Sequence, residues 1–184
     1  MKMTLPNILS FSRLVISFFF FVFFISNDPF LQLIALILFL FGSITDYFDG
    51  YFARKYNLSS NLGKILDPLA DKFLTISAFS SFVLLDLIPL WMLLIIIGRD
   101  LITTFMRTNS NKSISTSFGA KVKTTIQMIF IFASLLMIVW MNSFPNSIIS
   151  SSLNVFLHSI YYDLMMLFIV LITIWTLIDY LKTK

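Results

Sequence analysis

Apolar residues fill this chain in long blocks divided by short polar breaks. Six blocks stand out, at residues 8–26, 30–53, 67–85, 88–105, 122–141 and 156–181. Each supplies about the 17–25 residues that a transmembrane helix needs, although the first is uninterrupted only from 14 to 25. Six crossings bring both chain ends to one side. The breaks at 26–29, 84–89 and 142–158 carry no Lys or Arg. All 13 basic residues fall near the N-terminus, at 54–72, at 99–123 or at the C-terminus. The positive-inside rule places those regions and both termini in the cytoplasm. The pattern predicts an all-α, polytopic membrane protein: one domain over residues 1–184, a six-transmembrane-helix bundle with a short N-terminal interfacial segment (residues 2–11).

Composition sharpens this picture. With 58% hydrophobic residues, 12% charged residues and a mean hydropathy of +0.92, a soluble globule is excluded. Cysteine is absent, which removes disulfides, thiol chemistry and Cys-based zinc sites. The net charge of +4 is modest, and its placement suits membrane lipids rather than nucleic acid. The N-terminal run resembles a secretory leader in outline, but SNDPF (26–30) offers no small-residue cleavage site, so it is expected to stay as the first crossing. The single histidine, His158, falls in a polar connection and reads as an ordinary surface residue.

The carboxylates are not spread evenly. Glu is absent, and four of the nine acidic residues (Asp46, Asp49, Asp67 and Asp71) fall within DYFDGYFARKYNLSSNLGKILDPLADK, residues 46–72. Asp46, Asp49, Gly50 and Ala53 share one helical face at i, i+3, i+4 and i+7. Gly63, Asp67, Ala70 and Asp71 share another at i, i+4, i+7 and i+8. The intervening NLSSN is turn-forming, so two antiparallel helices with opposed acidic faces are expected. Salt bridges to Arg54, Lys55, Lys64 and Lys72 would explain a lone Asp at a membrane edge. They do not explain four Asp and small residues on two faces. Four carboxylates at close range call for a divalent cation, and oxygen-only ligands suit Mg²⁺, Mn²⁺ or Ca²⁺ rather than zinc. Arg54, one turn beyond Gly50, is placed to hold an anionic group such as a phosphate.

A second polar region lies between the fourth and fifth blocks. Arg99 and Arg107 stand two turns apart on one face, and Lys121 and Lys123 open the fifth block. Ordinary cytoplasmic charge accounts for most of this. Arg99, however, sits inside an apolar helix, and Arg forks with Lys point charges are what phosphate recognition uses. Arg13, near the inner edge of the first block, either snorkels to headgroups or points into the acidic site. The mid-depths of the blocks carry no charge, which argues against the competing class of cation channel or carrier.

The order Asp-x-x-Asp-Gly-x-x-Ala-Arg, eight residues, then Gly-x-x-x-Asp-x-x-x-Asp over Asp46–Asp71 resembles, position for position, the signature of the CDP-alcohol phosphotransferase family of membrane enzymes. Within that family LPNILSFSR (5–13), LGKILDPLADK (62–72), GRDLITTFMR (98–107) and GAKVKTTIQM (119–128) resemble a bacterial subgroup whose acceptor is sn-glycerol 3-phosphate. Ser10 and Asp100 depart from that subgroup's usual Thr and Glu, which bears on the acceptor rather than the reaction. Other acceptors within the family are inositol phosphate, serine or a lipid alcohol.

The resemblance implies a homodimeric, inner-membrane enzyme that moves a phosphatidyl group from CDP-diacylglycerol to an alcohol and releases CMP, with its active site on the cytoplasmic side. By position it implies that Asp46, Asp49, Asp67 and Asp71 hold the divalent metal, Mg²⁺ or Mn²⁺, as one ion or two. Asp46, Gly50, Ala53, Arg54, Gly63 and Asp67 would contact the CDP moiety, and Asp71 would be the catalytic base. The acceptor's phosphate needs cations away from the metal, for which Arg99, Arg107, Lys121 and Lys123 are candidates, with Arg13 in reserve.

Overall fold

A computed structural model describes residues 5–56, 63–109 and 118–182; within them, the side chains of 5–9, 46–56, 63–69, 71, 107–109, 118 and 120 lie outside the description. Among the described residues the chain is helical throughout. The elements are α1 (Leu5–Phe24), α2 (Pro29–Tyr56), α3 (Gly63–Leu84), α4 (Leu90–Asn109), α5 (Phe118–Ser143), α6 (Ile148–Leu157) and α7 (Ile160–Lys182). Many large apolar side chains are exposed on them, among them Phe18, Phe30, Phe105, Phe168 and Trp175. Such a surface suits lipid and would drive association in water. Two of the helical stretches, Lys121–Ser143 and Ile160–Lys182, are long and apolar enough to cross a membrane by themselves.

Helix ends follow local chemistry. Pro29 opens α2, and the Asp28 side chain before it accepts from the Phe30 N–H at 2.9 Å. At the end of α3, Asp86 takes φ 56°, its N–H donates to Val83 O, and the Leu87 N–H donates to Phe82 O. This is a left-handed helix stop that closes two orphan carbonyls. The predicted connection 142–158 is corrected here, because it contains α6. Ser147 caps that helix by accepting from the Ile149 N–H, and Phe156 and Leu157 belong to it, so the last long helix begins at Ile160. Polar Ser and Asn residues interleaved with Ile, Val and Phe concealed a ten-residue helix.

The chain divides into two compact units, Met1–Ser81 and Phe82–Lys184. In the first, α1 packs along α2. Ser10, Arg13, Ser17, Phe20 and Phe24, spaced by threes and fours, form the buried seam of α1; Gln32, Ala35, Leu36, Phe39 and Gly42 are buried on α2. Phe20 meets Phe39 with ring centroids 5.6 Å apart, and the Gln32 amide donates to Ser26 O at 2.8 Å. The third helix joins at Gly42. A methyl group there would lie 3.0 Å from Leu74 Cδ2, which would have to give by a few tenths of an ångström, and 3.5 Å from Ile16 Cγ2, so α1, α2 and α3 pack closely at this glycine.

That contact fixes direction. From Gly42 to Tyr56 and from Gly63 to Leu74 each helix rises 1.5 Å per residue, so parallel helices touching at 42 and 74 would put Tyr56 and Gly63 about 37 Å apart. The stretch 57–62 bridges at most about 25 Å even when fully extended. α2 and α3 therefore run antiparallel.

In the second unit α4 packs on α7, α5 packs on α6 and α7, and α6 also touches α7. One buried polar pair here is hydrogen-bonded across helices. Tyr162 OH donates to Ser134 Oγ at 3.0 Å, and Ser134 donates on to Phe130 O at 2.9 Å.

The contact at Gly42 makes a direct prediction. Gly42→Val overpacks the three-helix junction and costs about 1–3 kcal/mol, and Leu74→Ala alone costs about 2–5 kcal/mol. The double variant loses less than the sum, because the space opened by one change receives the other. Strict additivity in detergent unfolding experiments would show that α2 and α3 do not meet at this point.

Candidate active site

The acidic stretch occupies the adjoining ends of two helices. Asp46, Asp49, Gly50, Ala53 and Arg54 lie in the last turns of α2; Gly63, Asp67, Ala70 and Asp71 lie in the first turns of α3. Ala70 is fully buried; the side chains of the other eight are outside the described set. Helix arithmetic from the Gly42–Leu74 contact runs along both backbones. Asp46 and Asp49 are one and two turns beyond Gly42 on the same face, and Ala70, Asp71 and Asp67 are one and two turns before Leu74. In this antiparallel register position 46 lies level with 70, 49 with 67, and 53 with 63.

Arg13 belongs to the same unit. The contacts of Phe20 with Phe39 and of Ile16 with position 42 set the α1–α2 register, and one further turn brings Arg13 level with 45–46. Arg13 is only 2% exposed, which speaks against one of the two expectations for it: the side chain is enclosed by protein and does not snorkel.

The second unit holds a described cluster of charge. The Asp100 Oδ1 oxygen accepts from Arg99 Nη1 at 2.9 Å and from Lys123 Nζ at 3.2 Å, joining α4 to α5. Arg99 Nη2 donates to Thr176 Oγ1 of α7 at 3.1 Å. Thr176 in turn donates to Thr173 O at 3.0 Å, which leaves its lone pairs for the guanidinium. Lys123 is 3% exposed, whereas Lys121, two residues earlier, is exposed. Arg99 Nε and Gln127 Nε2 are among the buried described atoms that find no hydrogen-bond partner, and Gln127 stands one turn on from Lys123 along the same face of α5. Donors without acceptors beside two cations are the makings of an anion site.

The candidates thus separate. Arg99 and Lys123 are brought together through Asp100; Lys121 is not part of the cluster; Arg13 lies in the other unit; the Arg107 side chain is outside the described residues. Sequence reasoning missed Asp100 and Thr176 as partners. The signal for the first was its place beside Arg99. For the second it was a Thr173/Thr176 pair, one turn apart, in the uncharged stretch between Asp163 and Asp179. Among the described residues no three His or Asp side chains come together, and the four signature carboxylates lie outside them. An apolar cavity of about 620 Å³ between α5, α6 and α7, lined by residues such as Ile129, Met137, Phe156 and Met165, has no charged group and so offers nothing to a phosphate.

Comparison with known proteins covers both units. The model of the CDP-alcohol phosphatidyltransferase family matches residues 3–178. A protein of Bacillus subtilis (strain 168) is 42% identical over 111 residues, 59% of this chain and 58% of its own length. One of Rickettsia bellii is 37% identical over 130 residues, 67% of this chain and 70% of its own. One of Wigglesworthia glossinidia brevipalpis is 37% identical over 150 residues, 73% of this chain and 78% of its own. All three are named CDP-diacylglycerol–glycerol-3-phosphate 3-phosphatidyltransferase.

The two neighbouring lysines make a controlled pair. Lys123→Met removes one of the buried partners of Asp100 and lowers stability by about 1–3 kcal/mol. Lys121→Met, on the exposed face, changes it by less than about 0.5 kcal/mol. Equal effects in thermal unfolding would contradict the burial difference.

Proposed function

We infer the reaction from one premise: this chain belongs to the CDP-alcohol phosphatidyltransferase family. We propose that it transfers the phosphatidyl group of CDP-diacylglycerol to a hydroxyl of sn-glycerol 3-phosphate, giving phosphatidylglycerophosphate and CMP. The observation that carries the choice of acceptor is the likeness to relatives named for that acceptor, which extends over both units of the chain.

The signature on α2 and α3 serves the donor. In this reading Asp46 and Asp49, near the end of α2, and Asp67 and Asp71, near the start of α3, supply oxygen ligands only, the donor set of a hard divalent cation. Mg²⁺ or Mn²⁺, as one ion or two, neutralises the diphosphate when bound and stabilises the departing CMP. Gly50, Ala53 and Gly63 leave space for the nucleotide, which Asp46 and Asp67 also contact. Arg54 pairs with the diphosphate, and Arg13, enclosed level with Asp46, adds a cation at that end. Asp71 accepts the proton of the glycerol hydroxyl as its oxygen bonds to the β-phosphorus and the bond from that phosphorus to CMP breaks.

The cluster on α4, α5 and α7 serves the acceptor. Arg99 and Lys123, joined through Asp100, hold the phosphate of glycerol phosphate, with Arg107 and Lys121 as further candidates. This reading comes with six crossings, α1–α5 and α7, both termini and the site on the cytoplasmic side of the inner membrane, and a homodimer. The lipid tails of the donor then stay in the bilayer while CDP and glycerol phosphate meet water.

Purified protein given CDP-diacylglycerol and each candidate alcohol in turn should release CMP with glycerol 3-phosphate and lose that activity in excess EDTA. Asp71→Asn should remain folded and still bind CDP while turnover falls about 10²–10⁴-fold, the range of a general base. Faster release with inositol phosphate or serine would replace the acceptor, and wild-type turnover of Asp71→Asn would remove its role as base.

A further inference from the structure

We propose that Asp100 and Thr176 are positioning residues that aim Arg99 and Lys123 at the acceptor's phosphate; the inference rests on the acceptor reading above. Neither residue carries a positive charge, and neither belongs to the signature on α2 and α3. Their claim comes from geometry. One carboxylate oxygen of Asp100 lies between the two cations, 2.9 Å from Arg99 Nη1 and 3.2 Å from Lys123 Nζ. Two like charges in a poorly solvated site repel, and the oxygen between them holds both in place. The trio retains one net positive charge. Thr176 fixes the other end of the guanidinium through Nη2, and its own hydrogen is committed to Thr173 O. With both Nη groups held by protein, the plane of Arg99 is set and its buried Nε–H remains without an acceptor, as does Gln127 Nε2. A phosphate group brings negative charge to this net-positive trio and acceptors to its unpaired donors.

A second physical account predicts the opposite sign. Were Asp100 only a negative charge near the anion, removing it would strengthen phosphate binding. If it positions the cations, Asp100→Asn frees Lys123 to swing out or lose its proton, and binding weakens.

The test uses the full chain purified in detergent. Asp100→Asn should raise the KM for glycerol 3-phosphate about tenfold or more, the worth of one charge-assisted hydrogen bond, and leave the KM for CDP-diacylglycerol within about twofold. Asp100→Glu should restore most of the loss. Thr176→Val keeps the shape of the side chain and removes the oxygen. It should raise the acceptor KM about fivefold with little change in melting temperature, and Thr176→Ser should reverse this. Should Asp100→Asn not fold, the Thr176 pair decides the matter by itself. An acceptor KM that falls in Asp100→Asn, or does not move in Thr176→Val, overturns the proposal.

A wild-type protein that releases no CMP with glycerol 3-phosphate would instead contradict the proposed function. The positioning role is then decided by inorganic phosphate: the rise in melting temperature that it gives the wild type should shrink in Thr176→Val and return in Thr176→Ser. An equal rise in all three overturns the role.

Discussion

The absence of a side chain at Gly42 governs what α2 and α3 can do together. A methyl there would meet Leu74 Cδ2 at 3.0 Å, tighter than an ordinary contact, with Ile16 of α1 at 3.5 Å. A contact that tight, one turn from Asp46 on one helix and one turn from Ala70 and Asp71 on the other, leaves little freedom in how the two helices meet. The short stretch 57–62 then excludes the parallel arrangement. Direction and level thus follow from one glycine, one leucine and the length of a connection, before any carboxylate is considered. In the proposed reading a cation joins the carboxylates at the end of such a pair, because four like charges at a membrane edge repel at high cost.

The two units carry different kinds of polar chemistry. On α2 and α3 the signature groups are acidic and separated by Gly and Ala, which suits a dication and a bulky nucleotide. On α4, α5 and α7 the groups are cationic, with one carboxylate and a threonine hydroxyl spaced among them. The proposed reaction, between a nucleotide-activated lipid and a phosphorylated alcohol, asks for both, since one substrate arrives as a diphosphate ester and the other as a phosphate monoester.

Much of this was legible in the sequence. Long apolar blocks can satisfy their backbone in a bilayer only as helices, so the helical class followed from composition. That the Asp signature falls on the ends of two helices could be read from spacing, because helix periodicity is local. What stayed hidden depends on neighbours from elsewhere in the chain. Arg13 could be assigned to lipid or to protein only once α1 and α2 were in register, and its burial settled the point. Lys121 and Lys123 look alike as letters, yet rotation about α5 exposes one and encloses the other. Thr176 reaches Arg99 across 77 residues of chain, a distance that no local pattern spans. α6 was missed for a different reason. Its serines serve as a cap and as backbone acceptors' partners within the helix, and in sequence they resemble a loop.

Manganese binding tests the central claim most directly, because Mn²⁺ shares the oxygen preference of Mg²⁺ and can be followed by its paramagnetic signal without any turnover. In detergent-purified protein the account predicts saturable Mn²⁺ binding that needs both helices, so Asp49→Asn on α2 and Asp67→Asn on α3 should each weaken it severely. Binding that persists unchanged when either helix loses its carboxylate would show that the two acidic faces do not share an ion.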